Sequence, residues 1–352
     1  MLKLCGTLVA VLLGIAACAA PSGEPAGAVR PLVGANGVTR APQPVEAMAH
    51  TPATASAIRI VAWNPEFLWD GQVPEDGSSQ VQFEWKGKPE IASQRIAAAA
   101  DILGGFDADI IVLEEIEGRH ILDQLAAAPG LSGRDLKPIF VQGTDTFTGQ
   151  DVGILARMSP TLVYRSDVRM PVDSRQQGVS KNLAARLPLA GDQCLSVIAI
   201  HLLSRAEDAS RAQARQAQAE VVRRIAVDER RTGCHVVVAG DFNDYDPDVA
   251  DPAGHVAVTT VLKTIKGLDP ADTSDDLVNP ATRLPMAERY SNRWDRDNDG
   301  RIELPREGSL IDHVLVSPTL QVEDVRIARP LVRQEPLSDH DPIVVTVNQP
   351  MM

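Results

Sequence analysis

Five apolar runs in this chain each end in a residue capable of chemistry. Val61-Ala62-Trp63 leads to Asn64, Ile110–Leu113 to Glu114-Glu115, and Ile198–Ile200 to His201. Val236–Ala239 leads to Gly240-Asp241-Phe242-Asn243, and Leu310-Ile311 to Asp312-His313. A sixth cluster, Ser338-Asp339-His340-Asp341-Pro342, precedes the last apolar run. Asn, Asp and His suit turns, so a single such ending needs no function to explain it. Six of the same chemical kind constrain the chain further: they imply buried strands whose ends converge on one crevice.

The electrostatics of one ending sharpen this. In VVVAGDFNDYDPD (236–248) an apolar run is followed by Asp241, Asn243, Asp244, Asp246 and Asp248. Carboxylates this close repel unless a cation or a hydrogen-bond network offsets the repulsion. Asp244, Asp246 and Asp248 are expected to be solvated loop acids.

The remaining pattern alternates. Strands are predicted at Ile58–Trp63, Asp109–Leu113, Leu183–Leu187, Leu195–His201, Cys234–Ala239, Leu310–Val316 and Ile343–Val347. Asp151–Ala156 and Thr161–Arg165 are expected to pair as a hairpin around Ser159-Pro160. Pro89–Leu103 has apolar residues at helical spacing and stops at Gly104-Gly105; Ala206–Asp228 reads as a long polar helix with an apolar stripe. There is no strict βα repeat. The expected class is α/β, a sandwich with mixed sheets in one domain, covered by helices.

At 352 residues the chain has room for one large or two ordinary domains. Its net charge of −13 argues against holding nucleic acid by non-specific phosphate contacts alone, and leaves room for a nuclease that turns over quickly. Residues 1–17 read as a secretory signal: Lys3, then an apolar run from Leu8 to Ala17, too short to span a membrane. Ile15-Ala16-Ala17-Cys18 resembles a bacterial lipobox, making Cys18 the lipidated residue; the alternative is ordinary cleavage at an Ala-x-Ala with Cys18 incidental. Residues 18–56, rich in Ala, Pro and Gly, are expected to form a flexible tether, with the folded domain spanning 57–350. The expected location is the bacterial cell envelope, exported and anchored by lipid alone, as a monomer. Cys194 precedes His201 by seven residues, as Cys234 precedes Asp241. Were those strands parallel neighbours in that register, the cysteines would lie level and form a disulfide in an oxidising compartment; otherwise they are two buried thiols.

Trp63-Asn64, Asp109–Glu115, Ile200-His201-Leu202, Gly240-Asp241-Phe242-Asn243, Ile311-Asp312-His313 and Ser338–Pro342 together resemble, in order, the motifs of the endonuclease/exonuclease/phosphatase superfamily, which is similar to deoxyribonuclease I. The resemblance covers about residues 58–348. It implies a four-layer α/β sandwich, two mixed β-sheets flanked by helices, and phosphoester hydrolysis with Mg²⁺ or Mn²⁺, sometimes Ca²⁺. Carried over by position, it implies Glu115 as the principal metal carboxylate, Asn64 beside it and Asp339 as a further metal or water contact. Asp241 would orient or deprotonate the attacking water and Asn243 hydrogen-bond the phosphate. His201 would contact a non-bridging oxygen, and Asp312 orient His340 as general acid/base or transition-state stabiliser. Glu114 departs from the family, which often has Gln there. Glu66 matches a second acidic ligand of some members and a surface residue in others.

Two features stand outside these motifs. Asp295, Asp297, Asp299 and Gly300 match the start of an EF-hand calcium loop, but Arg306 stands at position 12, where Glu is required. The loop is a candidate Ca²⁺ site or a solvated acidic insertion. Arg157, Arg175, Lys181, Arg186, Arg205, Arg289 and Arg293 fall near strand ends or loops, as phosphate-binding groups or surface charges. Tyr290 and Trp294 among Arg289 and Arg293 would suit stacking on a base or loop packing. The expected function is an extracytoplasmic metal-dependent phosphoesterase acting on phosphodiesters, nucleic acid among them. Alternatives are a lipid- or inositol-phosphate hydrolase, a phosphomonoesterase, and a non-catalytic binding lipoprotein.

Overall fold

The computed structural model describes residues 43–44, 57–72, 83–269, 271–297, 299–332 and 335–349. The expected signal and lipobox, with most of the expected tether, lie outside these residues.

In chain order the main strands are β1 (Ala57–Trp63), β2 (Ile110–Ile116), β3 (Lys137–Ile139), β4 (Asp151–Ala156), β5 (Leu162–Tyr164), β6 (Lys181–Pro188), β7 (Cys194–His201), β8 (His235–Asp241), β9 (Asp312–Val316), β10 (Gln321–Ile327) and β11 (Ile343–Asn348). The helices are α1 (Pro89–Gly104), α2 (Arg119–Ala127), α3 (Ala209–Arg231) and α4 (Val261–Lys266). One sheet runs β5-β6-β7-β8-β9, with Gln43–Pro44, inside the expected tether, on its β5 edge. The other runs β10-β11-β1-β2-β4-β3. β7–β8 and β1–β2 are parallel, and the other pairings are antiparallel, so both sheets are mixed. The expected hairpin of 151–156 with 161–165 does not form: β4 and β5 belong to different sheets. An apolar strand pair does not disclose whether its connection turns back or crosses to the other sheet.

Side chains alternate faces along a strand, and here the alternation builds the layers. Ile58, Ile60, Ala62, Ile110 and Val112 from one sheet meet Leu195, Val197, Ala199, Val237 and Ala239 from the other in the central core. The opposite faces pack on helices: Val61, Ile111 and Leu113 against Ile96 and Leu103 of α1, and Ile198 and Val238 against Val222 and Ile225 of α3. The result is four layers, as the resemblance implied. Cys194 and Cys234 are joined by a disulfide, because β7 and β8 run parallel in the register that pairs His201 with Asp241. No helix among the described residues is long and apolar enough to cross a membrane.

Candidate active site

The inward-facing period of the strands does not stop where the apolar residues stop. Two residues beyond Ala62 is Asn64, beyond Val112 is Glu114, beyond Ala199 is His201, and beyond Ala239 is Asp241. Each therefore points into the space between the sheets, at one end of it. The ladder sets the spacing across the strands. Lys181 of β6 lies opposite His201, His201 beside Asp241, and Asp241 opposite Asp312 of β9. Directly opposed residues share a face with Cβ atoms about 5 Å apart, so these four form one row. Gly240 is required within it. Its φ is +138°, and a Cβ there would sit 2.0 Å from the Ile200 carbonyl and 2.9 Å from Glu114 Oε1.

Glu115 follows Glu114 and on strict alternation would face away. The β2–β4 ladder shifts register between Leu113 and Ile116, and Glu115 takes a left-handed φ of 51°. This bulge re-aims the side chain. Glu115 Oε2 accepts from the Phe67 backbone N–H at 3.2 Å. Burial raises its pKa, against the opposing charges of Lys181 and His340.

His340 is carried by a loop tied down at several points. Trp63 Nε1 donates to the His340 carbonyl (3.0 Å), Ser338 Oγ donates to the Asn64 carbonyl (2.7 Å), and the His340 N–H donates to Ser338 Oγ (3.0 Å). The carboxylate of Asp341 is held by Arg293 (2.6 Å) and Arg329 (3.2 Å). His340 Nδ1 is 2.8 Å from Asp312 Oδ2, which also accepts from Ser291 Oγ at 2.6 Å. Its Nε2 stands 4.0 Å from both Asp241 Oδ2 and Asp339 Oδ1. Burial alone would lower the pKa of this imidazole. The carboxylates of Asp312, Asp339 and Asp241 outweigh burial and hold it well above its usual value, so His340 is a cation at neutral pH.

His201 is the opposite case. Burial, with Lys181 and His340 nearby, pushes its pKa well below normal, so this imidazole is neutral. Its Nε2 is 3.6 Å from Asp241 Oδ2. Asp241 Oδ1 accepts from the Asn243 N–H (2.8 Å), and its Oδ2 lies 3.4 Å from Asn64 Nδ2. Burial and the Asp312 carboxylate push Asp241 up to about 8, against the pull of His340. Glu66 is pushed up to about 7 by burial and Asp339. Its own N–H donates to Asn64 Oδ1 at 3.1 Å.

The structure thus brings together Asn64, Glu115, His201, Asp241, Asn243, Asp312, Asp339 and His340. Ligand atoms of Asp241, Asp312 and His340 lie within 4.8 Å of one another. Both oxygens of Glu114 and Oδ1 of Asp312 are buried without a hydrogen-bond partner among the described residues. A pocket of hard oxygen donors with orphaned carboxylate oxygens fits Mg²⁺, Mn²⁺ or Ca²⁺. Sequence reasoning missed Ser291, the second donor to Asp312, and Trp63 as the anchor of the His340 loop. Both contacts link distant segments, and no local pattern signals them.

Several expected roles are corrected. Asp244 is fully buried and paired to Arg215 at 2.9 Å, and Asp246 is buried on Lys266 at 2.7 Å; of the three loop acids only Asp248 is exposed. Arg157 pairs with Asp107 and Asp109, before the start of β2 and thus at the opposite end of the strands from the site. Arg186 pairs with Glu229 of α3. Arg293 is engaged by Asp341, and Arg329 stacks on Tyr290 at 3.9 Å, while Trp294 remains 60% exposed. In the EF-hand-like loop, Asp295, Asp297 and Asp299 do cluster. Arg306, from position 12, reaches Asp297 (2.7 Å) and Glu303 (2.5 Å), supplying a positive charge from within the loop.

Comparison with known proteins agrees with this architecture. No curated protein matches the chain. Among solved structures, a humanized D. rerio TDP2 superposes with a TM-score of 0.54 at 18% identity, over 84% of this chain and 100% of that one. An endonuclease/exonuclease/phosphatase from Bacteroides vulgatus gives 0.54 at 16%, over the same shares. D. rerio TDP2 complexed with single-strand DNA product gives 0.52 at 15%, also over 84% and 100%. At these identities the likeness is one of fold. The model of the Endonuclease/Exonuclease/phosphatase family matches residues 82–340, a span that leaves out Trp63-Asn64 and ends within the last motif, at His340. A chain matched over most of its length, with the row of polar residues at one end of a four-layer sandwich, belongs to the endonuclease/exonuclease/phosphatase family.

Proposed function

We propose that the protein is an exported, lipid-anchored phosphodiesterase that uses Mg²⁺ or Mn²⁺ to hydrolyse nucleic-acid phosphodiester bonds. The observation that carries the reading is geometric: Nε2 of His201 and Nε2 of His340 approach the same buried Asp241 Oδ2, at 3.6 and 4.0 Å, while His340 Nδ1 is held on Asp312 at 2.8 Å. Phosphodiester hydrolysis needs a group to take or orient the water proton, and donors aimed at the oxygens where charge develops. Asp241 sits where it can orient water, its other oxygen fixed by the Asn243 amide. Cationic His340, with Nδ1–H held by Asp312, presents its remaining N–H to the same space. Neutral His201, with Asn243, offers a donor to a non-bridging oxygen. Glu115, Asn64 and Asp339 would hold a divalent cation, which would supply positive charge to offset that of the phosphodiester. The anchor at Cys18 and the envelope location rest on the leader sequence. The single-strand DNA product bound to the D. rerio relative supports nucleic acid as the substrate class.

The test incubates the protein with supercoiled plasmid and, in parallel, bis-p-nitrophenyl phosphate, in Mg²⁺ or EDTA, with His340→Ala as control. Nicking that requires Mg²⁺ and disappears in the variant is expected. Cleavage of the small diester alone would redirect the reading to phospholipids and small phosphate esters. Activity on neither substrate would overturn it.

A further inference from the structure

The protein is strongly acidic, yet one concave surface is not. A cavity of about 200 Å³ begins at Thr144 and Ser180. These lie one residue from Asp145 and Lys181, which pair at 3.2 Å, and Lys181 stands opposite His201. The cavity shares Arg165, Ser166 and Val168 with a second one of about 520 Å³, which runs along the C-terminal half of α3. Together they run from beside Lys181 down the α3 side of the sheet, toward the strand ends opposite the catalytic row; no residue of that row lines either cavity.

Its lining is cationic. Among the described residues, Arg165, Arg169, Arg223, Arg224, Arg230 and Arg231 line it against four aspartates. Arg165 is held by Asp167, Arg230 by Asp275 at 2.6 Å, and Arg231 stands 3.6 Å from Asp228. Arg223 gives its donors to the carbonyls of Gly267 (2.6 Å) and Leu268 (3.0 Å), with Glu220 4.0 Å away. The side chains of Arg169 and Arg224 are exposed, and their guanidinium groups have no hydrogen-bond or ion-pair partner among the described residues. Ile225, Val227, Leu268 and the ring of Tyr164 add apolar surface between these charges. Arginines strung along a groove with apolar patches between them suit a flexible polyanion whose bases need only a surface to lie on. The donors are spread rather than focused: residues 223 to 231 alone cover about 12 Å of helix. A single phosphate group would engage only part of that span.

We infer that this arginine-lined groove holds a single nucleic-acid strand extending from the active site over the α3 face. The inference rests on the phosphodiesterase reading for its substrate class, but binding can be measured apart from turnover. Full-length protein in detergent and EDTA is titrated into fluorescein-labelled dT20 and read by anisotropy, at several salt concentrations, beside the double variant Arg169→Gln/Arg224→Gln. Hydrolysis of bis-p-nitrophenyl phosphate in Mg²⁺ is measured on both proteins. The variant is expected to bind dT20 roughly tenfold more weakly, with the salt slope shallower by about 1.4 for two lost phosphate contacts. The small diester should be hydrolysed at the wild-type rate. Unchanged dT20 affinity and slope would overturn the groove. So would pyrophosphate binding that is lost in the variant without any dT20 binding, which marks a compact anion site. Diester hydrolysis without dT20 binding by the wild type removes the groove and leaves the phosphodiesterase reading standing. Arginine-dependent dT20 binding, with neither the small diester nor supercoiled plasmid cleaved in Mg²⁺, keeps the groove and removes that reading.

Discussion

Two acidic clusters in this protein look alike in sequence and differ in how their charge is met. In the loop at 295–307, Asp295 accepts from the backbone N–H groups of Asp299 (3.2 Å) and Gly300 (2.8 Å). Glu307 accepts from those of Arg296 and Glu303, both at 2.9 Å. Arg306 spans Asp297 and Glu303. In the cleft, Glu114, Asp241 and Asp312 crowd together, Glu114 has no hydrogen-bond partner for either oxygen among the described residues, and the nearby cation, His340, is itself buried. Buried carboxylates without partners are destabilising, so a fold that keeps them has them for some purpose other than stability. The contrast separates a loop that balances its own charge from a site arranged to receive charge from outside.

The largest expected effects break the cleft cluster. Asp241→Asn and His340→Ala should each lower kcat/KM by roughly 10³-fold or more, since each removes a group that acts on the reacting atoms. The comparison adds a second readout. Asp241→Asn removes one of three crowded acids, so its thermal stability in EDTA should equal or exceed that of the wild type. A large loss of stability would mean that the carboxylate is there to hold the fold.

The next effect depends on pH. Asp151 is buried at the same end of the strands, and burial pushes its pKa from 3.8 up to about 7 despite the Gly143 N–H. A raised carboxyl stabilises the folded state below its unfolded pKa, and that contribution is lost as pH rises towards the folded value. Wild-type stability should therefore fall between about pH 4 and 7 by up to roughly 4 kcal/mol from this group. Asp151→Asn removes the titration, so its melting temperature relative to wild type should climb across that window. A constant difference would show that Asp151 ionises normally.

A smaller effect addresses Glu114 directly. Burial, with Asp312 and Asp241 nearby, raises the Glu114 pKa well above normal, so folding at neutral pH must protonate it. Glu114→Gln keeps the shape and removes that cost, and should stabilise the protein by about 1–3 kcal/mol in EDTA. In Mg²⁺ the gain should shrink, because a nearby cation favours the ionised wild-type carboxylate. An equal gain in both conditions would detach Glu114 from the metal site.

How much of this could be read in the chain follows the same physics. The convergence of Asn64, His201 and Asp241 was legible because a strand repeats every two residues, and a polar residue ending an apolar run inherits the inward direction. The disulfide was legible for the same reason, since equal spacing from paired residues fixes level positions on parallel strands. Glu115 reached its place by a bulge, which local sequence does not announce; its role came from the family motif. The hairpin at 151–165 was misread because pairing depends on which sheet offers an open edge. Asp244 and Asp246 were misread because their partners, Arg215 and Lys266, come from helices far along the chain. Long-range pairing of charges leaves no periodic trace.

The smallest effect tests the other side of the comparison. If Arg306 supplies the positive charge of the 295–307 loop, removing Ca²⁺ with a chelator should leave the wild-type melting temperature unchanged to within about a degree, because exposed ion pairs contribute little. Arg306→Gln should then uncover the acids. The variant should melt slightly lower than wild type without Ca²⁺ and recover when Ca²⁺ is added, since Asp295, Asp297 and Asp299 already lie within ligand distance of one another. Differential scanning fluorimetry across a Ca²⁺ series reads both arms. A wild type that responds to Ca²⁺ as strongly as the variant would show that the guanidinium does not substitute for the ion. The loop would then stand with the cleft, as a second place where acids are arranged around an external cation.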